Sequence, residues 1–237
     1  MHPPGSEPPA RPVAAPVALS PSRAGDFMTC PLLYRLRVID KVPEPPSAAA
    51  TRGTVVHAVL ERLFDAPAAQ RTPEAARALL RPEWERLLEK RPELGTLFPD
   101  DADGTELAGW LADAEKLVDG WFRLEDPTRL EPAERELYVE TQLESGLRLR
   151  GVVPKRLQLV YLGGGGQLVT YDPDPADLQA VERKLLALWQ AIQRALETGE
   201  WPANRNRLCD WCSFQALCPA FGGTPPPYPL PVLNAQL

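Results

Sequence analysis

Apolar residues recur every three or four positions over the first half of this chain, a spacing that predicts amphipathic helices. The helical part is predicted over 20–126. It begins with Ser20 as an N-cap and Pro21 at the first helical position. Further helices are expected over 51–64 and 72–124, the second interrupted at Pro82 because proline lacks the backbone N–H that a helix interior needs.

The pattern then becomes alternating, which is typical of β-strands. Strands are predicted over 136–143, 147–151, 157–162 and 167–171, giving a small sheet within 135–171. An amphipathic helix follows over 175–198 and ends at Gly199, which suits a helix C-cap. The order of helices, small sheet and final helix predicts an α+β fold.

Proline is unusually abundant, with 28 residues concentrated near both ends of the chain. Segment 1–19 is therefore predicted to be a disordered Pro/Ala-rich tail and segment 222–237 a Pro-rich tail, on either side of one domain over 20–221. The composition of the whole chain is otherwise ordinary for a globular protein, with 44% hydrophobic and 24% charged residues.

The chain is acidic, with a formal net charge of −6, which argues against non-specific coating of nucleic acid. A local basic groove stays compatible with this total, because affinity follows the patch. No apolar run approaches the roughly 18–20 residues of a membrane span, and the N-terminus lacks a signal-peptide pattern. We therefore expect a cytoplasmic protein without a membrane partner.

Three of the four cysteines form a C-x2-C-x5-C motif at Cys209, Cys212 and Cys218, and the fourth is the remote Cys30. In the cytosol clustered cysteines more often bind metal than form disulfides, and thiolates are soft ligands for zinc or iron–sulfur clusters. Structural zinc sites usually use two close cysteine pairs, so three bunched cysteines with one distant partner favour a [4Fe–4S] cluster. Zinc, disulfides and unligated cysteines are the alternatives.

His57 and Glu61 are four residues apart on the helix predicted over 51–64, so both side chains can point toward one site. Such a pair could hold an ion weakly. The simpler interpretation is a His–Glu pair on a helix surface.

Several of these segments together resemble the RecB-family nucleases of the PD-(D/E)XK superfamily. The resemblance is to the iron–sulfur branch with its Cas4-like and AddB-type nuclease domains, and it covers roughly 19–221. It rests on three motifs: the helix with Cys30-Pro31 and Tyr34, the segment Arg52-Gly53-x-x-x-His57-x-x-Leu60-Glu61, and the terminal C-x2-C-x5-C-Pro.

The resemblance implies a restriction-endonuclease-like core with a mixed β-sheet and flanking helices. It implies an exonuclease-type enzyme of DNA repair or recombination that uses Mg²⁺ or Mn²⁺ and acts on single- or double-stranded DNA ends, with a helicase or another protein as partner. By the same resemblance His57 corresponds to a metal ligand, and Cys30, Cys209, Cys212 and Cys218 correspond to the cluster ligands.

The catalytic segment of that family is missing from this sequence. The family has an Asp soon after the Leu-Arg-Gly strand, then a strand with Asp/Glu-x-Lys; here Leu149-Arg150-Gly151 is followed directly by Val152-Val153-Pro154. No catalytic residue is identified, because Glu182-x-Lys184 and the segment 113–116 fit ordinary helix-surface charges better. Three explanations of the missing segment stay open: the protein is an inactive member of the family, it is an internally deleted gene product, or a partner chain completes the site.

The first hypothesis is therefore a catalytically impaired nuclease-family protein with a [4Fe–4S] cluster that acts on DNA ends. The alternative is a non-enzymatic scaffold stapled by zinc or an iron–sulfur cluster. That scaffold would bind a protein through the Trp-containing helical region 74–124.

Overall fold

The structure, a computed structural model, describes residues 18–132, 135, 139–143, 147–151, 157–162 and 166–228. These residues form two compact units. The terminal unit takes the described residues of Met1–Glu44, Tyr138–Val153 and Asp174–Leu237, and the central unit takes those of Pro45–Leu137 and Pro154–Pro173. Most of the predicted tail 1–19, and residues 229–237 of the second predicted tail, lie outside the described residues.

The terminal unit begins with helix α1 (Pro21–Thr29), α2 (Pro31–Tyr34) and a π-helical stretch over Arg35–Ile39. The Ser20 side chain accepts a hydrogen bond from the Arg23 amide, which confirms the predicted N-cap. Helix α6 (Pro175–Thr198) begins with an Asp174 capping box and ends at Gly199, whose φ of 73° is left-handed.

The core of the terminal unit is aromatic. Phe27, Tyr34 and Trp201 pack together: Tyr34 stacks on Trp201 with ring centroids 6.0 Å apart, and Phe27 meets both rings edge-on. Ile192 and Leu196 of α6 are buried in the same cluster. This unit is therefore built from segments that are far apart in sequence.

The central unit is formed by helices α3 (Ala48–Leu63), α4 (Pro73–Lys90) and α5 (Thr105–Leu124). Their buried faces meet in a cluster that contains three tryptophans: Trp84, Trp110 and Trp121. The aromatic stripe that the sequence shows along 105–124 is thus core packing, as its helical spacing predicts.

The four predicted strands are present, as β1 (Val139–Gln142), β2 (Arg148–Gly151), β3 (Leu157–Tyr161) and β4 (Gln167–Tyr171). The expected single mixed sheet is not found in the part of the chain that is described: β1 pairs with β2 and β3 with β4, each antiparallel. Both pairs join strands that are neighbours in sequence, for which a hairpin suffices, whereas a parallel pair needs a long crossover connection. Leu19 adds one parallel bridge to Leu149 of β2.

The prediction that Pro82 interrupts its helix is wrong, because α4 continues through it. Proline removes one backbone hydrogen bond, but its fixed φ is compatible with helix. Leu80 and Trp84, on either side of Pro82, are 2% and 3% exposed in the core of the central unit. Tertiary packing of these side chains keeps the helix in place despite the missing bond.

Part of the segment predicted as a C-terminal tail packs in the terminal unit. The Tyr228 hydroxyl donates a 3.1 Å hydrogen bond to the Leu196 carbonyl, and the Arg35 guanidinium lies 5.0 Å from the centre of the Tyr228 ring. Ala18 and Leu19, within the predicted N-terminal tail, are buried as well. Among the helices that the structure describes, none is long and apolar enough to cross a membrane.

Candidate metal centre

Cys30 lies between two helices, where the chain direction is fixed from both sides. It is the C-cap of α1 and the N-cap of α2, with an extended backbone and Pro31 at the first position of α2. Its amide donates to the Asp26 carbonyl over 2.9 Å, and its carbonyl accepts from the Tyr34 amide over 3.1 Å. The Cys30 side chain is therefore placed by regular helix-terminal hydrogen bonds.

The other three cysteines lie on a run of single 3₁₀ turns, Cys209–Trp211, Gln215–Leu217 and Pro219–Phe221. The turns are tied together by the Gln215 side-chain amide, which donates to the Cys209 carbonyl over 2.6 Å. Phe214, which is 3% exposed, anchors this segment in the core of the terminal unit. The short turns give the C-x2-C-x5-C segment a defined path.

Two asparagines connect the cysteine segments. The side-chain amides of Asn204 and Asn206 donate to the Thr29 carbonyl over 2.9 and 3.1 Å. The backbone amide of Asn204 lies 3.3 Å from Cys30 Sγ, and that of Asn206 lies 3.3 Å from Cys209 Sγ. The segment 204–206 therefore connects the end of α1 to the C-terminal cysteine segment, and its backbone amides donate hydrogen bonds to two of the four cysteine sulfurs.

All four cysteines line one cavity of about 300 Å³ in the terminal unit. Four thiols around one space are a suitable donor set for an iron–sulfur cluster, and N–H donors on ligand sulfurs are a usual feature that tunes such clusters. In the described residues, no three His, Cys, Asp or Glu side chains converge closely enough to hold a single metal ion.

His57 and Glu61 belong to the central unit, where both are exposed side chains of α3. The Glu61 backbone carbonyl accepts a 2.8 Å hydrogen bond from Arg135. The four cysteines belong to the terminal unit, so the structure assigns the two sets of predicted ligands to different units.

The two segments considered as substitutes for the Asp/Glu-x-Lys motif, 182–184 and 113–116, are helical as predicted. Glu182 and Lys184 are both exposed on α6. Lys116 forms a 2.8 Å ion pair with Asp113 one turn earlier on α5, and Arg52 approaches the same carboxylate at 3.4 Å. An exposed pair of this kind is ordinary surface electrostatics.

Sequence reasoning missed the two asparagines and the exposed Trp211 of the cysteine segment. Asparagine is common in turns because its side chain bonds to nearby backbone. The pattern Asn204-x-Asn206 shortly before Cys209 could therefore have indicated a turn that shapes the site. Trp211 offers no comparable signal, because a tryptophan is buried far more often than it is exposed.

Comparison with known families matches residues 18–154 to the PD-(D/E)XK nuclease superfamily, which is more than half of the chain. The protein thus belongs to the PD-(D/E)XK nuclease superfamily. No curated protein and no solved structure matches it. The match includes Cys30, His57 and Glu61, and it ends before the segment that carries the other three cysteines.

Proposed function

We propose that this protein is an iron–sulfur member of the superfamily, related to the RecB-type exonucleases, that binds DNA ends and is impaired in hydrolysis. The observation that carries the proposal is the shared cavity of Cys30, Cys209, Cys212 and Cys218, which joins the family segment to the C-terminal motif. Superfamily membership supports nucleic acid as the ligand.

A [4Fe–4S] cluster fits this cavity better than zinc. Zinc requires its thiolates to converge on one point at about 2.3 Å. In a cubane each thiolate binds a different iron, so the four sulfurs lie further apart around a larger volume, consistent with a cavity of about 300 Å³. When bound, the cluster would supply a structural tie between Cys30 and the C-terminal segment.

Impaired hydrolysis follows from the side chains that remain. Metal-assisted cleavage of a phosphodiester needs carboxylates that hold Mg²⁺ or Mn²⁺, which polarises the phosphate and activates water. His57 and Glu61 can supply two ligands, and the described residues bring no third acidic, histidine or cysteine side chain into such a group. A weakly held ion would not reproduce the site of an active enzyme.

Metal content is the first test. Anaerobically purified protein should be brown and contain iron and acid-labile sulfide in equal amounts, about four of each per chain. One zinc per chain without sulfide would instead support the zinc-stapled scaffold. Cys209→Ala should abolish the iron signal, and Ser213→Ala, which changes a neighbouring exposed residue of the same segment, is the matched control.

The second test separates DNA binding from cutting. Cluster-loaded protein should bind single- or double-stranded ends, with an affinity that falls as salt rises, and should leave them intact with Mn²⁺ present. His57→Ala runs beside it to exclude a contaminating nuclease. Cutting that disappears in His57→Ala would refute the impaired site, and absence of DNA binding would refute the proposed ligand.

A further inference from the structure

Trp211 is the most exposed of the large apolar side chains in the described part of the chain, at 86%. It lies in the segment Cys209–Cys212, whose two cysteines face the shared cavity, and Trp211 itself contributes to the edge of that cavity. Burying a side chain of this size normally contributes about 1.5–3 kcal/mol or more. Nearly all of the Trp211 side chain is available to contact a ligand.

Two arginines belong to the same segment as this tryptophan. The Arg205 guanidinium lies 5.0 Å from the centre of the Phe221 ring, and that ring is 39% exposed at the same cavity. Arg207 is exposed between Arg205 and Trp211. Neither arginine has an acidic partner within the described ranges, although Asp210 is exposed on the same segment and the whole chain carries a net charge of −6.

We propose that Trp211 and Phe221 form a stacking surface for bases of single-stranded DNA, and that Arg205 and Arg207 contact its phosphates. This inference rests on the proposed DNA binding and assigns it a place beside the cysteine cavity. Single strands are bound by aromatic rings on which bases stack, combined with positive charge that follows the backbone. Both components are present here: the arginines and Trp211 belong to the segment 205–211, and Phe221 belongs to the turn Pro219–Phe221, whose ring lies against Arg205.

The composition of the surface favours a nucleic acid over a protein partner. Trp and Arg also act as anchors of protein interfaces, but the centre of such an interface is depleted of charge. Here the Arg205 guanidinium lies over the exposed Phe221 ring, and Arg207 is four residues from the exposed Trp211, an arrangement complementary to alternating bases and phosphates.

The test compares two strands of equal length, an oligothymidylate and an abasic deoxyribose-phosphate strand, by fluorescence anisotropy at fixed salt. Trp211→Ala should weaken binding of the oligothymidylate by about 5- to 150-fold, the effect of losing one stacked base. Binding of the abasic strand should not change. Tyr161→Ala removes an aromatic ring of the central unit that is 55% exposed and is the matched control.

A salt series tests the arginines separately. Arg207→Gln should lower the slope of log K against log salt by about 0.7 on both strands, the value for one phosphate contact in a single strand. All variants are compared at equal iron content, so that loss of the cysteine site is not mistaken for loss of a contact.

The outcomes distinguish this inference from the proposed function. If the wild-type protein binds the oligothymidylate and Trp211→Ala binds it equally well, the stacking surface is refuted and DNA binding stands. If Trp211→Ala weakens both strands alike, the ring does not contact bases and the inference is again refuted. If the wild-type protein binds neither strand, the proposed DNA binding is refuted, and the stacking surface, which depends on it, is refuted as well.

Discussion

Replacing Cys30 by serine tests whether the cysteine site ties the two ends of the chain together. Serine has nearly the same shape, and it is a favourable residue at a helix N-cap, the position that Cys30 occupies in α2. The amide and carbonyl of residue 30 keep their partners Asp26 and Tyr34. The local helices should therefore persist, and a loss of stability would report the loss of the thiolate.

The expected loss follows from the length of chain that Cys30 closes. The Cys30–Cys209 connection spans about 180 residues, and treating the cluster as a cross-link gives about 5 kcal/mol of restricted unfolded-state entropy. A cluster that is released on unfolding stabilises the native state through its binding free energy, which acts in the same direction. For a chain of this size, about 5 kcal/mol corresponds to a fall in Tm of about 10 to 20 °C.

The assay is anaerobic thermal unfolding followed by circular dichroism, with iron measured on the same samples. Wild-type protein should lose this stability when a chelator removes iron, and Cys30→Ser should respond little because it has little to lose. Thr29→Ser, a change at the neighbouring residue that leaves every thiol in place, controls for the substitution itself. Unchanged Tm and iron content in Cys30→Ser would refute the proposed tie.

Two further predictions concern buried polar side chains. Arg71 is 6% exposed and donates hydrogen bonds to the carbonyls of Ala66 and Leu130 over 2.9 and 2.7 Å. Arg71→Ala should therefore lower the free energy of unfolding, measured by thermal unfolding, by about 3 kcal/mol or more, and Arg71→Lys should recover only part of it. A loss below about 1 kcal/mol in Arg71→Ala would contradict this. The buried Tyr34 hydroxyl has no hydrogen-bond partner among the described residues, so Tyr34→Phe should leave stability equal or raise it by about 1 kcal/mol at neutral pH. Burial also raises the pKa of Tyr34 to about 12, whereas an unfolded tyrosine ionises near pH 10. The stability that this difference contributes is present below pH 10 and is lost as the pH rises to 12. Tyrosinate absorbance of Tyr34→Phe should lack one late-titrating group, and an identical titration curve would refute the shift.

Local patterns predicted most of the secondary structure. Helix ends carry their own chemical signals, and Ser20 and Gly199 are found as the caps that the sequence indicates. The sequence also suggested grouping the remote Cys30 with the three clustered cysteines, and the structure places all four around one cavity.

Features that depend on tertiary packing were not predictable in the same way. Pro82 remains helical because Leu80 and Trp84, on either side of it, are buried against residues of α3 and α5 that are distant in sequence, and Tyr228 packs against the core although it follows a proline-rich stretch. Strand pairing has the same difficulty: alternation identifies each strand, but it does not say which strand lies beside it. The two separate hairpins therefore had to be observed.

The aromatic core gives a physical reason why the cysteine site and the fold of the terminal unit depend on each other. Tyr34 and Trp201 join the two chain ends by stacking, and Trp201 also contacts Tyr228 at 5.8 Å. An aromatic pair contributes about 0.5–1.5 kcal/mol beyond its buried area, so one such pair between the ends offsets only part of the roughly 5 kcal/mol needed to close the chain. In the proposed iron–sulfur site, sulfur ligation at Cys30 would supply the remainder, but only where packing has already brought residues 204–206 against Thr29. The aromatic contacts thus position the thiols, and in the proposed iron–sulfur site the ligated thiols would in turn stabilise those contacts.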